Sequence, residues 1–210
     1  MRNQFKFRTI FSVFFSTIFS LLFFACSPSK NFTAKERKLI ENGSENQTFR
    51  VTQIINPQDS VILRTVSKDL KKIKGNKTLK QLLARMEKTM YKEEGIGIAA
   101  PQIGINRNIF LFIRINEPGE KVQVAINPKI ISHSDSLVCF KGDGCLSVPD
   151  KRGNSQRYSW IEVAYYDENG VYKQEKFSGY ARPGNFTGVI FQHEFDHING
   201  RLYIDKLCNP

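Results

Sequence analysis

The sequence predicts an α+β fold in which antiparallel β-sheets pack around a C-terminal helix. From residue 108 onward the apolar residues follow strand-like patterns, and Asp167-Glu168-Asn169-Gly170 is a strong hairpin turn between two of these segments. A helical pattern then spans about Thr187 to Asn199, and Gly200 provides its stop signal. Antiparallel strands packed around one C-terminal helix are typical of the α+β class.

The first 25 residues predict a signal peptide or membrane anchor. An uncharged apolar stretch runs from Thr9 to Ala25, and its length suits a cleaved signal better than a stable span. The positive residues before it are Arg2, Lys6 and Arg8. Cys26 follows Ala25 directly, which resembles a bacterial lipoprotein signal, although Phe23 stands where that signal prefers Leu.

This resemblance implies lipidation of Cys26 and a membrane-associated, lipid-anchored protein. The alternatives are an uncleaved apolar anchor at the cytoplasmic face of the inner membrane, or a cytoplasmic protein. Residues 26–56 are rich in Ser, Asn, Lys and Glu, so they predict a polar tether. Residues 57–210 are then the folded domain.

Two segments precede the strands. The short apolar run Val61 to Val66 predicts an extended segment, and Thr78 predicts the N-cap of a helix that ends near Glu94. Apolar side chains recur in that helix at spacings of three and four and form one core-facing stripe: Leu79, Leu82, Leu83, Met86 and Met90. Strands are predicted at Ile109–Ile115, Val122–Ile126, Tyr158–Tyr166 and Val171–Phe177.

The net charge of +11 is unevenly distributed. Residues 1–50 and 51–94 each carry +5, whereas residues 95–210 carry only +1. The lysines between residues 68 and 80 have no interleaved aromatic residues, so no specific nucleic-acid binding is expected. An apolar fraction of 40% with 24% charged residues excludes a wholly disordered chain and a multi-spanning membrane protein.

The C-terminal helix carries His193-Glu194-Phe195-Asp196-His197. Residues four apart share one helix face, so His193 and His197 can bind one metal ion with Glu194 beside it. This spacing is typical of metal-assisted hydrolysis, and it predicts that the C-terminal helix is metal-binding. A pair of exposed helical histidines is the alternative.

A metal site needs a third ligand, and the positions that supply it downstream of the helix in known metalloproteases hold no ligand in this chain. The third ligand must therefore come from upstream of the helix, or from Asp205 or Cys208 at the C-terminal end of the chain. Cys145, flanked by glycine in Asp143-Gly144-Cys145-Leu146-Ser147, is the upstream candidate. Cys139 lies in an apolar run and is predicted to be an inert core thiol, and no disulfide framework is expected.

The segment Gly95 to Gly104 is the third feature of interest. Its small residues permit close backbone approach, and Gln102 offers a side-chain amide donor. It lacks the third glycine and the preceding strand of a dinucleotide-binding loop. A tight connection between a helix and a strand remains the alternative.

Taken together, Gly95–Gln102, Asp143–Ser147 and Gln192–His197 resemble the three signature motifs of the peptide deformylases, in the usual order. The resemblance covers roughly residues 57–207. It implies one divalent metal per chain, Fe(II) with Zn(II) or Ni(II) as substitutes, bound by Cys145, His193 and His197. The roles that it implies for other residues are Glu194 as general base, Gln102 and the Leu146 N–H as oxyanion donors, and Ile96, Gly97 and Arg152 as substrate contacts.

The resemblance further implies a monomeric enzyme that removes the N-formyl group from N-formyl-methionyl peptides or nascent chains and releases formate. Asp143 stands where the family usually has Glu, and it is expected to pair with Arg152. Two alternatives stay open: a related metal-dependent amidase or peptidase with another substrate, and a non-enzymatic metal-binding lipoprotein.

Overall fold

A five-stranded antiparallel sheet forms the centre of the fold in the computed structural model, which describes residues 31–119 and 121–209. Its strands lie in the order β1 (Gly97–Ala99), β2 (Ile109–Arg114), β3 (Lys121–His133), β6 (Trp160–Tyr166) and β7 (Tyr172–Ser178). A second, two-stranded sheet consists of β4 (Leu137–Cys145) and β5 (Val148–Tyr158). The predicted α+β class is confirmed, and β4 and β5 form a hairpin that was not predicted as such.

Strand β2 is buried on both faces because the central sheet has a helix on each side. Ile109, Leu111 and Ile113 point to the side of α3 (Lys77–Lys92), and the alternate residues Phe110 and Phe112 point to α4 (Thr187–Ile198). The two phenylalanine rings pack edge-to-face on Phe191 of α4, at 4.8 and 5.3 Å between centroids. This packing explains the unbroken apolar run of the strand.

Helix α3 has the apolar stripe that its sequence predicts. Its five predicted core residues are all buried: Leu79, Leu82, Leu83, Met86 and Met90. The N-cap is Asn76 instead of Thr78, since the Asn76 side chain accepts a hydrogen bond from the Leu79 N–H at 3.1 Å. Thr78 donates its hydroxyl to Glu41.

The prediction of an extended segment at Val61–Val66 is wrong. Residues Pro57–Leu63 form helix α2, which Asn56 caps by accepting from the N–H groups of Gln58 and Asp59. Proline at the first helical position and asparagine before it are helix-start signals. A short apolar run does not distinguish a strand from a helix by periodicity, and here the start signals decide.

Residues 31–56 differ from the polar tether predicted for residues 26–56. They contain α1 (Ala34–Glu41), and three of their apolar side chains are buried in the core with α3: Phe32, Ile40 and Phe49. A buried ion pair, Arg107 Nη2 to Glu36 Oε2 at 2.7 Å, attaches α1 to the loop before β2. The composition of this segment is mainly polar because a few apolar residues are enough to anchor one short helix, so composition alone does not predict the packing.

Cys139 and Cys208 form a disulfide with 6.0 Å between their Cα atoms, which corrects the prediction of an inert core thiol and of no disulfide. Cys139 lies on β4, and Cys208 follows a 3₁₀ turn at Tyr203–Lys206. The Cys208 N–H donates to the Asn154 carbonyl of β5 at 3.0 Å. The two cysteines are 69 residues apart in sequence, so their proximity depends on the tertiary fold.

The predicted hairpin and final helix are confirmed. Strands β6 and β7 pair around Asp167–Gly170, and α4 ends at Ile198 before Gly200, whose φ is +68°. Within residues 31–119 and 121–209, no helix has both the length and the apolar character needed to cross a membrane. The predicted signal and Cys26 lie outside the described residues.

Candidate metal centre and active site

The two histidines of α4 and the cysteine at the end of β4 meet at one point. Ligand atoms of Cys145, His193 and His197 all lie within 4.8 Å of one another, and Cys145 Sγ is 3.1 Å from His197 Nε2. The helical spacing and the upstream cysteine are therefore brought together as predicted. The two alternative third ligands are engaged elsewhere, since Asp205 pairs with Arg64 and Cys208 is in the disulfide.

Asp143 orients His193. Its Oδ1 lies 3.0 Å from His193 Nδ1, which leaves Nε2 as the ring nitrogen available for a metal. Burial by itself would lower the pKa of His193, but the adjacent Asp143 carboxylate outweighs burial and holds the pKa well above its usual value. Burial likewise opposes ionisation of Asp143, and the neighbouring His193 and Arg157 lower its pKa overall.

The cationic partner of Asp143 is Arg157, which corrects the expected pairing with Arg152. Arg157 is fully buried on β5 and donates to Asp143 Oδ2 at 2.7 Å and to Asp196 Oδ2 at 2.6 Å. Lys206 completes the network, with its Nζ 2.5 Å from Asp196 Oδ1. Both carboxylates are thus paired, which a buried charge requires.

Sequence reasoning missed Arg157 because the β4–β5 hairpin was not predicted, and only that pairing brings the strand beside the metal site. Asp196 could have been predicted from the sequence, since it lies between the two histidines of the helical motif. Tyr203 was also missed: its ring stacks on His193, with 6.2 Å between ring centroids and 19° between the planes.

The donor set fits a divalent transition metal. One thiolate and two imidazole nitrogens are ligands that Zn(II), Fe(II) and Ni(II) accept, and three protein ligands leave one position open for water or substrate. Two N–H donors approach the Cys145 sulfur: the Ser147 backbone at 3.4 Å and Gln102 Nε2 at 3.6 Å.

Glu194 is buried beside the three ligands, and within the described residues its Oε2 has no hydrogen-bond partner. Burial raises its pKa to about 7. Gly97 of β1 packs directly against it, because a Cβ at that position would lie 2.4 Å from Glu194 Oε1. Glycine at position 97 is therefore what makes room for the carboxylate.

Gln102 lies on a 3₁₀ turn at Ala100–Ile103, is 1% exposed, and accepts the Ala99 N–H through Oε1 at 2.8 Å. This hydrogen bond fixes the amide so that Nε2 faces Cys145. A cavity of about 800 Å³ opens over these groups, and Ile96, Leu146 and Arg152 line it together with Gly97 and Glu194. The predicted residues Cys145, His193 and Gln102 line the same cavity, and His197 lies behind it, in contact with the Cys145 sulfur.

A cluster of one cysteine and two histidines that could hold a metal, next to a buried carboxylate and an amide donor, is the arrangement of a metal-dependent hydrolase. A sequence model of the polypeptide deformylases matches residues 51–210. The chain belongs to the polypeptide deformylase family.

Relatives and solved structures agree with this assignment. The chain is 36% identical over 150 residues to a peptide deformylase of Synechocystis sp., covering 71% of this chain and 75% of that protein. A peptide deformylase of Thermotoga sp. is 37% identical over 146 residues, covering 70% and 81%. A crystal structure of the class I type b peptide deformylase from Acinetobacter baumannii, bound to Met-Ala-Ser, superposes with a TM-score of 0.67 at 29% identity, covering 77% of this chain and 99% of that chain.

Proposed function

We propose that this protein is a peptide deformylase that hydrolyses the N-formyl group of N-formyl-methionyl peptides or nascent chains and releases formate. One observation carries the proposal: Cys145 and His193, which form one ligand cluster with His197, line the same cavity as Glu194, whose Oε2 has no hydrogen-bond partner among residues 31–119 and 121–209. Relatives of similar length that are named peptide deformylases support it, as does the Met-Ala-Ser complex of the Acinetobacter baumannii enzyme.

Cys145, His193 and His197 would hold one divalent metal, which when bound supplies a Lewis acid and acidifies a bound water. We propose Fe(II) as the native ion because the resemblance to the peptide deformylases implies it, and the mixed sulfur and nitrogen donor set also accepts Zn(II) or Ni(II) as substitutes. Asp143 fixes the Nδ1 proton of His193 and so keeps its Nε2 aligned.

Glu194 is the proposed general base and then the proton donor. With a pKa near 7, its carboxylate can take a proton from the attacking water and return it to the leaving amine. The bond between the formyl carbon and the amide nitrogen breaks, which yields formate and a free N-terminus. Gln102 Nε2 and the Leu146 N–H are the donors for the oxyanion, and loss of one such donor costs about 3 kcal/mol of transition-state stabilisation.

The substrate-facing part of the cavity comprises Ile96, Gly97 and Arg152. Ile96 is 38% exposed, so it offers apolar surface to a methionine side chain. Arg152 lies beside Gly144, with its Cγ 3.4 Å from where a Cβ of Gly144 would be. A guanidinium there can donate to the carbonyl groups of a bound peptide.

The test is formate release from formyl-Met-Ala-Ser by the anaerobically purified, Fe(II)-loaded protein, compared with Glu194→Gln. The wild type is expected to release formate, whereas the variant binds the same amount of metal and loses at least 100-fold in kcat, because it lacks the general base. Formate release no faster than that of the variant would contradict the proposal.

We further propose that the protein is membrane-associated through lipidated Cys26. The apolar stretch from Thr9 to Ala25 and the adjacent Cys26 support this proposal. The Cys139–Cys208 disulfide also supports it, because disulfides persist in oxidising compartments such as the periplasm and the cell surface.

Metabolic labelling with palmitate tests the anchor. Wild type is expected to incorporate the label and Cys26→Ser to lose it, with the label measured per amount of protein. Equal labelling of wild type and Cys26→Ser would remove the lipid anchor from this account.

A further inference from the structure

Ser155 of β5 lies two residues before Arg157 and is completely buried. Residues 153, 155 and 157 share one face of the strand, and Gly153 is paired with Asp143 across the hairpin. Ser155 therefore faces the carboxylate that orients His193.

The Ser155 hydroxyl bridges the two charged groups behind the metal site. Its Oγ donates to Asp143 Oδ2 at 2.5 Å and accepts from Arg157 Nε at 3.0 Å. The direction of both bonds is fixed, because a guanidinium has no acceptor and an ionised carboxylate has no donor. The hydroxyl can therefore adopt only one orientation.

We propose that Ser155 is a positioning residue for the metal centre and acts through Asp143 on His193. Asp143 has two oxygens with different tasks: Oδ1 contacts His193 Nδ1, and Oδ2 receives Ser155 and Arg157. Holding Oδ2 from two sides stops rotation of the carboxyl group, so Oδ1 stays in line with the imidazole.

Arg157 alone does not provide this constraint. Its two terminal nitrogens are divided between Asp143 and Asp196, so a single bond from Nη2 reaches Asp143. The remaining donor, Nε, is directed to Ser155. Removing the hydroxyl would leave Asp143 Oδ2 with one donor and the buried Arg157 Nε with no acceptor. Asp143 would then be held less firmly, and His193 would be less well aligned.

The inference rests on the proposed function only in taking the same three residues as metal ligands. Its test is therefore metal affinity, measured without substrate. Zn²⁺ is titrated into the metal-free full-length chain in competition with a chromophoric chelator. Partners of metal-ligating histidines typically contribute 10- to 100-fold to metal affinity, so Ser155→Ala is expected to weaken Zn²⁺ binding by about tenfold.

Ser134→Ala is the matched control. Ser134 is also a buried serine whose hydroxyl donates once, to the Ser136 carbonyl at 2.8 Å, and accepts once, from the Ser159 N–H at 3.0 Å, but neither bond involves the site. It should lose a similar amount of stability and retain wild-type Zn²⁺ affinity. A Ser155→Ala chain that binds Zn²⁺ within twofold of wild type would overturn the proposal.

Ser155→Thr separates the hydroxyl from packing. The added methyl group strains a filled site and lowers Tm, whereas the retained hydroxyl should keep Zn²⁺ affinity within about twofold of wild type. Weakened affinity in this variant would also overturn the proposal, even if Ser155→Ala does not fold. If neither wild type nor variants release formate but the affinities follow this order, the proposed function fails and the positioning role stands.

Discussion

At the scale of single residues, Gly97 determines where the Glu194 carboxylate can lie. No side chain fits between β1 and Glu194, since a Cβ would be within 2.9 Å of the Oε1, Cδ and Cγ atoms of that glutamate. The close contact holds Glu194 beside the metal ligands, and in the described part of the chain its Oε2 has no hydrogen-bond partner.

Replacing Gly97 with alanine should displace the Glu194 carboxylate. A displacement of about 1 Å at a reacting group can cost on the order of 100-fold in rate, so kcat for formate release should fall by that factor while bound metal is unchanged. Gly188→Ala is the control, because a Cβ there meets Phe177 at an ordinary 3.4 Å. An unchanged kcat in Gly97→Ala would show that this contact does not position Glu194.

The metal ligands and Glu194 could be predicted from sequence because helical spacing alone places His193, Glu194 and His197 together. Cys145 could be predicted as a ligand only from the sequence motif that surrounds it. Ser155 and Arg157 could not be predicted, because their contacts with Asp143 depend on the register of β4 with β5, and that register contains a bulge between Phe140 and Asp143. No local pattern in the sequence specifies such an offset.

At the scale of elements, the C-terminal segment after α4 supports the back of the site. Tyr203 stacks on His193, Lys206 binds Asp196, and Leu207 bridges to Ser155 of β5. The Cys139–Cys208 disulfide then fastens the end of this segment to β4, the strand that also carries Cys145. One covalent bond thus connects the two parts of the chain that surround the ligands.

Removing this disulfide should destabilise the fold. For a loop closed over a separation of 69 residues, the chain-entropy model gives about 4 kcal/mol, measured as the free energy of unfolding in urea. The double variant Cys139→Ser/Cys208→Ser should show that loss and no response to dithiothreitol, whereas wild type should lose stability on reduction. If reductant leaves the urea midpoint of the wild type unchanged, the disulfide does not stabilise the native protein.

Elements with strong periodicity could be predicted, and those defined by few residues could not. The stripe of α3 and the β6–β7 hairpin follow directly from their patterns. Helix α2 is only seven residues long, and its apolar residues resemble a strand until the Asn56-Pro57 start is considered. Helix α1 is attached mainly by Phe32, Ile40 and the Glu36–Arg107 pair, so its position depends on tertiary contacts.

At the scale of the whole molecule, the active site lies where the central sheet, α4 and the β4–β5 hairpin meet. The sheet contributes Gly97, the turn after it contributes Gln102, the hairpin contributes Cys145 with its supporting residues, and the helix contributes the histidines and Glu194. The basic surplus of the chain lies in its first 94 residues, away in sequence from this nearly neutral region. The residues of the assembled cavity therefore come mainly from the nearly neutral part of the chain.

The most direct test of this account is hydrolysis of formyl-Met-Ala-Ser in ¹⁸O-labelled water, with both products analysed by mass spectrometry. Attack of water on the formyl carbon places one ¹⁸O in each formate and none in Met-Ala-Ser, which is recovered intact in equal amount. Incorporation of ¹⁸O into the carboxyl group of a shortened peptide, with the formyl group retained, would identify a peptidase and contradict the assignment.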